Sequence, residues 1–180
     1  MVDQENRKLR FEPLDKKVHD RAAFSCEHEA LNVYLKQTAS QEVQKRVAAV
    51  YVLTPDGKTI AGYYTLSQYT IEAGELPDEA VQRLRLPRYD KLPATLLGRL
   101  ARSKEFKGTG LGEILLMGAL EKALHHSRNI ASLAVVVDAK DEKARSFYLS
   151  YGFVDLPDHP HRLFMLMQTI EQLFREPPGQ

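Results

Sequence analysis

The residues whose types and spacing most clearly indicate a chemical function are three alternating glycines in Lys107-Gly108-Thr109-Gly110-Leu111-Gly112. An apolar stretch before them, residues 94–101, predicts a strand, and the apolar run 113–124 after them predicts a helix. Backbone N–H groups at a helix start have no intrahelical partner, and the helix dipole adds positive charge there. The pattern therefore predicts a phosphate or pyrophosphate site, reinforced by Lys107 and Arg102, although glycines in an ordinary turn or in close helix–sheet packing give the same pattern.

Two common phosphate-binding motifs do not fit these glycines. A Walker loop ends in Gly-Lys-Ser or Gly-Lys-Thr, and neither follows the glycines here. The dinucleotide-binding pattern G-x-G-x-x-G lies in the first strand–helix turn of its domain, whereas these glycines alternate and lie past the middle of the chain. The rest of the sequence has to identify the kind of phosphate site.

A second motif lies downstream, where residues 138–153 end in Phe147-Tyr148-Leu149-Ser150-Tyr151-Gly152-Phe153. Together the two motifs resemble the GNAT acetyltransferase family. That family's acetyl-CoA loop usually reads Arg/Gln-x-x-Gly-x-Gly/Ala, and its later helix ends in Phe-Tyr-x-x-x-Gly-Phe. Lys107 departs from the pattern at the first position of the loop.

Further segments resemble a narrower branch, the aminoacyl-tRNA-acetylating toxins of type II toxin–antitoxin systems. These segments are residues 62–67, 86–89, 93–101 and 137–141. The resemblance implies an acetyl-CoA-dependent N-acetyltransferase that blocks translation, with aminoacyl-tRNA as its substrate. It also implies a ribbon-helix-helix antitoxin, operator DNA bound only through that antitoxin, and a toxin homodimer. Acetylation of a protein N-terminus, a lysine or a small amine stays open, as does a non-catalytic module that binds acetyl-CoA or the antitoxin.

The resemblance also implies roles for individual residues. The residues expected to hold acetyl-CoA are Leu100, Ala101, Arg102, Lys107, Gly108, Thr109, Gly110, Leu111, Gly112 and Phe147. The Tyr148 phenol is the expected catalytic group, which protonates or hydrogen-bonds the departing CoA thiolate. Without the resemblance, Tyr148 would be expected to pack in the core and Arg102 to be a surface residue.

A general base is not obvious in the sequence. An α-amino group has a pKa of about 7.7–8.0, which esterification of the carboxyl group lowers further, whereas a lysine amine titrates near about 10.4. An aminoacyl ester therefore needs less help from a base, which favours it as the substrate. Glu72, Glu75 or an ordered water remains a candidate base.

The charges of this nearly neutral chain are unevenly distributed. Residues 81–112 carry a net charge of +6, and the rest of the chain carries −5. Phosphate of a cofactor or of a nucleic acid suits such a segment, although a solvated face is the usual explanation. We expect four of its cations to contact tRNA phosphates, namely Arg83, Arg85, Arg88 and Lys91.

The histidines indicate no functional site. The pair at 125–126 lies at a predicted helix end, where a cation complements the helix dipole. His159 and His161 flank a proline without enough further ligands for a metal site, so no metal is expected.

Length and composition are typical of a single globular domain of 180 residues. The resemblance and the predicted elements imply that the domain is of α/β class. We expect one GNAT-like domain over residues 1–180, with a mixed, mostly antiparallel sheet flanked by helices and parallel strands that splay near residues 101–112. The N-terminus has no signal-peptide character, so a cytoplasmic location is expected.

The predicted elements follow from periodicity and turn residues. Strands are predicted at 9–14, 47–54, 59–71, 94–101, 130–137 and 163–168, the second and third as a hairpin around Pro55-Asp56-Gly57-Lys58. Helices are predicted at 19–46, with Asp20 as its cap and a break near Ser40, at 78–84 and 113–124, and at 141–151, which Asp141 caps and Gly152 ends. The continuous apolar run 133–137 predicts a strand buried on both faces, parallel to the strand at 94–101 because a crossover helix lies between them.

Overall fold

A computed structural model describes residues 8–86 and 89–175, so the predicted contact residue Arg88 lies outside the described residues. The strands are β1 (Arg10–Pro13), β2 (Ala49–Thr54), β3 (Gly62–Glu72), β4 (Lys91–Arg102), β5 (Ala134–Asp138), β6 (Val154–Asp155) and β7 (Arg162–Leu166). The α-helices are α1 (Glu29–Val33), α2 (Ala39–Lys45), α3 (Asp78–Leu84), α4 (Leu111–Ser127), α5 (Glu142–Ser150) and α6 (Met167–Leu173). A π-helical turn (Tyr34–Thr38) and two 3₁₀ turns (Ala73–Glu75 and Lys104–Phe106) complete the regular structure of the described residues.

The strands form a mixed, mostly antiparallel sheet in the order β1-β2-β3-β4-β5-β7-β6. β4 and β5 are parallel, with Thr95 opposite Val135 and Leu97 opposite Val137, and β4 then continues to Arg102. This confirms the predicted fold class and the parallel pair around a crossover helix.

The chain forms two compact units. The first contains the chain up to Ser67 together with Gly98–Ala119, and the second contains Gln68–Leu97 together with the chain from Leu120 onward. The first unit therefore holds the end of β4 and the glycine loop, whereas the second holds α3, α5 and the loop between β6 and β7.

The first unit fixes the end of β4 by close backbone contacts. The Ser103 N–H donates to the Ala61 carbonyl at 2.8 Å, and the Lys104 N–H donates to the Ser25 carbonyl at 2.9 Å. A Cβ on Gly62 would lie 2.9 Å from the Ala101 carbonyl oxygen and 2.6 Å from a Leu115 methyl carbon. Glycine is thus required where β3 passes β4 and α4.

The predicted hairpin between β2 and β3 is confirmed, and its turn is held by one aspartate. Asp56 accepts hydrogen bonds from the N–H groups of Lys58 and Thr59 and from the Thr59 hydroxyl, which together hold the pKa of Asp56 well below its usual range. Gly57 follows with a φ of +81°, a conformation that glycine adopts without strain. The strands pair antiparallel from Ala49–Leu66 to Leu53–Gly62.

The helix predicted over 19–46 is wrong for its first third, because α1 begins only at Glu29. Asp20 does not cap a helix and instead accepts from the Ala23 N–H in a local turn. The buried Asn32 side chain bonds both the N–H and the carbonyl of Cys26, which gives the backbone of this segment non-helical partners. The helical irregularity lies at the π-helical turn rather than at Ser40.

The second unit contains two elements that the sequence did not predict, β6 and α6. β5 begins at Ala134 rather than 130, and β7 ends at Leu166, where α6 begins instead of the predicted continuation of the strand to 168. β6 has only two residues, too few to give an alternating pattern. The predicted α3 is confirmed at its predicted bounds, with Ala80 in the core of this unit.

No α-helix among the described residues is long and apolar enough to cross a bilayer.

Replacing Gly62 with alanine should lower the free energy of unfolding by about 1–3 kcal/mol, because the added methyl meets a carbonyl oxygen that cannot move independently of β4. Urea denaturation measures the change. Gly74→Ala is the matched control, since no heavy atom lies within 4 Å of its added Cβ. Equal stabilities for the two variants would contradict the close approach.

Candidate active site

The glycine loop begins where β4 leaves the sheet. Ser103 is buried, and the 3₁₀ turn that follows brings the Phe106 N–H to the Ser103 carbonyl at 3.1 Å. Gly108 and Gly110 have φ values of +76° and +77°, on either side of Thr109, whose hydroxyl donates to the Phe106 carbonyl at 2.6 Å. The alternating glycines are therefore required by the backbone of the loop.

Backbone donors accumulate at this loop. Five backbone N–H groups donate to no backbone or side-chain acceptor in the described chain. They belong to Gly108, Gly110, Leu111, Gly112 and Glu113. The first hydrogen bond of α4 forms only at Ile114, which donates to the Gly110 carbonyl at 3.3 Å. Successive N–H groups next to residues of positive φ form an anion-binding concavity, and α4 adds the positive end of a 17-residue helix.

The loop also has room for a ligand. No heavy atom lies within 4 Å of the Cβ position at Gly108 or Gly110, and residues 107–110 are exposed. Unpaired donors with open space in front of them fit the pyrophosphate of acetyl-CoA, because its oxygens would supply the missing acceptors. When no ligand is bound, water has to accept the hydrogen bonds of these N–H groups.

The cations predicted to reinforce the loop differ in their surroundings. The Lys107 ammonium lies 2.8 Å from the Glu27 carboxylate, so it is already paired. Arg102, at the end of β4, is half-buried and has no ion-pair partner among the residues that the structure describes. Arg102 is therefore the better placed of the two to meet a phosphate.

Other predicted cofactor residues lie on two elements. Leu100 and Ala101 are the last residues of β4 before Arg102, and Ala101 is buried. Phe147 lies on α5, in the second unit, with its ring 5.4 Å from that of Tyr148 and 5.0 Å from that of Tyr151.

The helix that carries Tyr148 has a well-defined cap at each end. Asp141 accepts from the Ala144 N–H at 2.8 Å, as predicted for its N-cap. At the C-terminus Phe153 donates to the Tyr148 carbonyl and Gly152, with a φ of +96°, donates to the Leu149 carbonyl. These two bonds form a Schellman motif, and the Phe153 ring packs 5.4 Å from the Tyr148 ring as the accompanying apolar contact.

The Schellman motif holds the Tyr148 ring in place but leaves its hydroxyl available. The residue is 8% exposed, yet its hydroxyl makes no hydrogen bond to any described residue. No side-chain oxygen or nitrogen of the described chain is both buried and unpaired, so this hydroxyl must reach the surface. Desolvation raises the pKa of Tyr148 to about 12, so the phenol stays protonated at neutral pH and is a donor.

The described members of the predicted tRNA contact set are exposed cations. Arg83 lies in α3, Arg85 ends that helix with a φ of +48°, and Lys91 begins β4. No ion pair to a described residue engages any of the three. By contrast Arg99, in the same basic segment, lies 3.5 Å above the Tyr34 ring and has a structural role.

The two carboxylates considered as bases are committed to other contacts. Glu72 and Glu75 form a reciprocal capping box around the first 3₁₀ turn. Glu75 also lies 2.9 Å from His159, which is 84 residues away in the sequence, so no local pattern could have revealed this pair. No group of three potential ligand side chains in the described residues is arranged to hold a metal ion.

Comparison with known proteins gives a consistent result. A family profile described as an acetyltransferase (GNAT) domain matches residues 87–163. The probable toxin TacT of Sinorhizobium fredii (strain NBRC 101917 / NGR234) is 32% identical over 171 residues, covering 91% of this chain and 93% of that protein. A tRNA-acetylating toxin of Mycobacterium tuberculosis (strain ATCC 25618 / H37Rv) is 29% identical over 154 residues, covering 86% and 90%.

Solved structures of similar proteins cover nearly the whole chain. A tyrosine-to-phenylalanine mutant of KacT has a TM-score of 0.84 at 34% identity, covering 92% of this chain and 99% of KacT. AtaT complexed with acetyl-methionyl-tRNAfMet has a TM-score of 0.83 at 31% identity, covering 93% and 99%. A tyrosine-to-phenylalanine mutant of AtaT, bound to the C-terminus of the antitoxin AtaR and to acetyl-CoA, has a TM-score of 0.77 at 27% identity, covering 92% and 97%.

Replacing Gly110 with aspartate should weaken acetyl-CoA binding at least 100-fold, because a carboxylate would stand in the open space before the unpaired N–H groups. Gly110→Asn is the control, since asparagine has the same shape and tolerates the positive φ equally but carries no charge. Calorimetry with acetyl-CoA measures both. Similar affinities for the two variants would show that no anion binds at this loop.

Proposed function

Because the chain belongs to the GNAT acetyltransferase family, we propose that it transfers the acetyl group of acetyl-CoA to the α-amino group of aminoacyl-tRNA and so inhibits translation as a toxin. The observation that carries the proposal is the set of unpaired N–H groups in front of open space at the glycine loop. The relatives supply the acceptor: one is named a tRNA-acetylating toxin, and AtaT has been solved with an acetylated methionyl-tRNA.

The glycine loop holds the cofactor by its phosphates. The N–H groups of Gly108, Gly110, Leu111, Gly112 and Glu113 donate to the pyrophosphate, with Arg102 as the nearby cation. Thr109 holds the loop through its bond to Phe106, and Lys107 joins the phosphates only if it leaves Glu27. The end of β4 at Leu100 and Ala101 offers backbone groups to the amide-rich pantetheine arm, much as a strand edge binds a peptide. The family resemblance assigns Phe147, whose ring lies 5.4 Å from that of Tyr148, to the cofactor as well.

Tyr148 acts on the leaving group. The amine attacks the acetyl carbonyl, the C–N bond forms, the C–S bond breaks, and the sulfur must leave as a thiolate or a thiol. A thiol has a pKa of about 8.5, so a phenol with a pKa of about 12 does not give up its proton completely to the thiolate. The Tyr148 hydroxyl instead donates a hydrogen bond that strengthens as negative charge develops on the sulfur, and solvent completes the protonation.

The basic arm, which we define as Arg83, Arg85, Arg88 and Lys91, contacts tRNA phosphates. Its three described members are exposed cations without an ion-pair partner in the described chain, which is the form expected of a phosphate-binding surface. Such contacts position the RNA and carry no sequence information of their own.

The proposal extends to the partners of the protein. AtaT has been solved with the C-terminus of its antitoxin, which supports an antitoxin partner here. A ribbon-helix-helix antitoxin that alone contacts operator DNA, a toxin homodimer and a cytoplasmic location are parts of the same proposal.

Tyr148→Phe should keep the fold and both ligands but reduce acetyl transfer about 10²–10³-fold, because it deletes the hydroxyl proposed to stabilise the thiolate and leaves the packed ring intact. The measurement is single-turnover acetylation of charged tRNA with saturating acetyl-CoA, with thermal melting as the folding control. Tyr151→Phe, three residues along α5, is the matched control and should lose less than about threefold.

The pH dependence provides a second test of Tyr148. Since burial raises its pKa to about 12, the hydroxyl remains a donor up to pH ~10, and the wild-type rate should rise with deprotonation of the amine and then stay level between about pH 8.5 and 10. If the rate of acetyl transfer instead fell with a midpoint below pH 10, the hydrogen-bond donor would not be a desolvated phenol. A rate for Tyr148→Phe close to that of the wild type would assign the residue to the core alone.

Reversing charge in the basic arm should weaken tRNA acetylation without changing acetyl-CoA affinity. The combined Arg83→Glu and Lys91→Glu variant removes two phosphate contacts, so the slope of log affinity against log salt should fall by about 1.4–1.8. Lys16→Glu with Lys45→Glu makes the same charge change at exposed positions outside the arm. If both double variants bind tRNA alike, only net charge matters and the arm has no specific role.

A further inference from the structure

His159 and Glu75 form a histidine–carboxylate pair that the acetyl-transfer scheme above does not use. The His159 Nε2 lies 2.9 Å from Glu75 Oε1, and the second Glu75 oxygen accepts the Glu72 N–H at 2.9 Å. Both carboxylate oxygens are therefore engaged, and Glu75 is held in one orientation. A carboxylate that accepts from Nε2–H leaves the lone pair of a neutral imidazole on Nδ1.

The backbone also fixes the position of His159. Its N–H donates to the Leu156 carbonyl at 3.3 Å, its carbonyl accepts from the Arg162 N–H at 3.1 Å, and Asp158 before it has a φ of +64°. The loop between β6 and β7 is thus a tight, bonded turn that presents one imidazole. Its ring is 36% exposed.

The second ring nitrogen is free to act. Nδ1 of His159 has no hydrogen-bond partner among the described residues, and since no buried polar side-chain atom there is left unpaired, Nδ1 is accessible to solvent. A histidine with one nitrogen on a fixed carboxylate and the other accessible has the arrangement of a general base.

The surroundings of His159 connect it with the helix of the catalytic tyrosine. His159 lines a cleft of about 410 Å³ together with Arg145 of α5, and Arg145 lies one helical turn before Tyr148 on the same side of that helix. Arg145 itself is bound by Asp155 at 2.6 Å and 3.1 Å, so its charge is neutralised. The second unit therefore presents the free imidazole on a cleft that α5 helps to form.

Charged groups surround the pair on its other sides. Arg162 of β7 is bound by both oxygens of Asp138 at the end of β5 and donates to the hydroxyl of Tyr69 in β3. Glu75 acts electrostatically on Tyr69 and Arg162, which places the pair beside this network. On its own loop His159 has Asp158 as a neighbour, and Asp155 lies across the cleft with Arg145.

We propose that His159, oriented by Glu75, is the general base that removes the proton from the attacking amine. The proposal rests on the proposed transfer to aminoacyl-tRNA. As the neutral amine forms the C–N bond, its nitrogen becomes cationic, and one N–H proton passes to His159 Nδ1. The C–S bond then breaks, the sulfur leaves under the hydrogen bond of Tyr148, and His159 returns its proton to solvent, so that acetyl-CoA and amine give amide and CoA thiol.

The test is single-turnover transfer of labelled acetyl from acetyl-CoA to total tRNA charged with the twenty amino acids, measured from pH 5.5 to 9. His159→Gln should reduce the rate at least 100-fold near pH 6.5 while leaving acetyl-CoA affinity and the melting temperature unchanged. The wild-type profile should depend on deprotonation of both histidine and amine, and the profile of the variant on the amine alone. His161→Gln, two residues away and 3.8 Å from Glu142, is the matched control and should stay within threefold of the wild type.

Glu75→Gln tests the positioning role. The amide oxygen of glutamine still accepts from Nε2–H, so this variant should keep the ring oriented and lose less than about threefold in rate, whereas Glu75→Ala removes the acceptor and should lower kcat at least tenfold with KM, acetyl-CoA affinity and melting temperature unchanged. An equal loss in the two variants, a loss that follows the melting temperature, or an unchanged rate for His159→Gln would overturn the proposal. If the wild type acetylates no charged tRNA at any pH, the proposed function itself fails, and the base assignment fails with it.

Discussion

One local feature sets the rest of the site, the cluster of unpaired N–H groups where the glycine loop enters α4. As in any helix, the first intrahelical bond forms on the fourth residue, Ile114, and the loop with its two glycines of positive φ adds further donors, so that five N–H groups between Gly108 and Glu113 have no acceptor in the described chain. An exposed polar group of this kind is satisfied by water or by a ligand. The pyrophosphate of acetyl-CoA would supply acceptors, so the same groups that cost little in water form the proposed binding site of the cofactor.

The remainder of the first unit fixes where this loop begins. The N–H groups of Ser103 and Lys104 are bound to carbonyls of other segments, and Gly62 allows β3 to pass within van der Waals contact of the Ala101 carbonyl and Leu115. The loop therefore starts from a fixed point, although its own residues are exposed. A rigid start with open donors lowers the ordering cost of binding an anion.

The second unit carries the two side chains proposed for proton chemistry. The Schellman motif at the end of α5 holds the Tyr148 ring by its carbonyl and by Phe153, and the phenol stays protonated because its surroundings are poorly solvated. His159 has one ring nitrogen on the Glu75 carboxylate and the other without a partner among the described residues. Aminolysis of a thioester can use both a hydrogen-bond donor to the thiolate and a proton acceptor for the amine, which are the roles proposed for these two side chains.

The sequence by itself determined the elements whose causes are local. The glycine loop, the Asp141 cap, the Gly152 stop and the Asp56–Gly57 turn each depend on residues within a few positions of one another, so their types and spacing were sufficient. The continuous apolar run of β5 likewise predicted a buried strand parallel to β4.

Only the tertiary structure decided the features that depend on distant partners. Residues 19–28 carry a helix-like pattern, but Asn32 binds the backbone of Cys26 and gives that segment an alternative to helical hydrogen bonds. Glu27 pairs with Lys107, which is 80 positions away in the sequence, and no periodic pattern in the sequence could have predicted this ion pair. The same is true of His159: its sequence neighbours predicted no metal site and no other role, and its contact with Glu75, 84 positions earlier, appears only in the folded chain. Side-chain types and spacing determine local hydrogen bonding, but desolvation and long-range pairing arise only when the chain has folded and distant groups exclude water from one another.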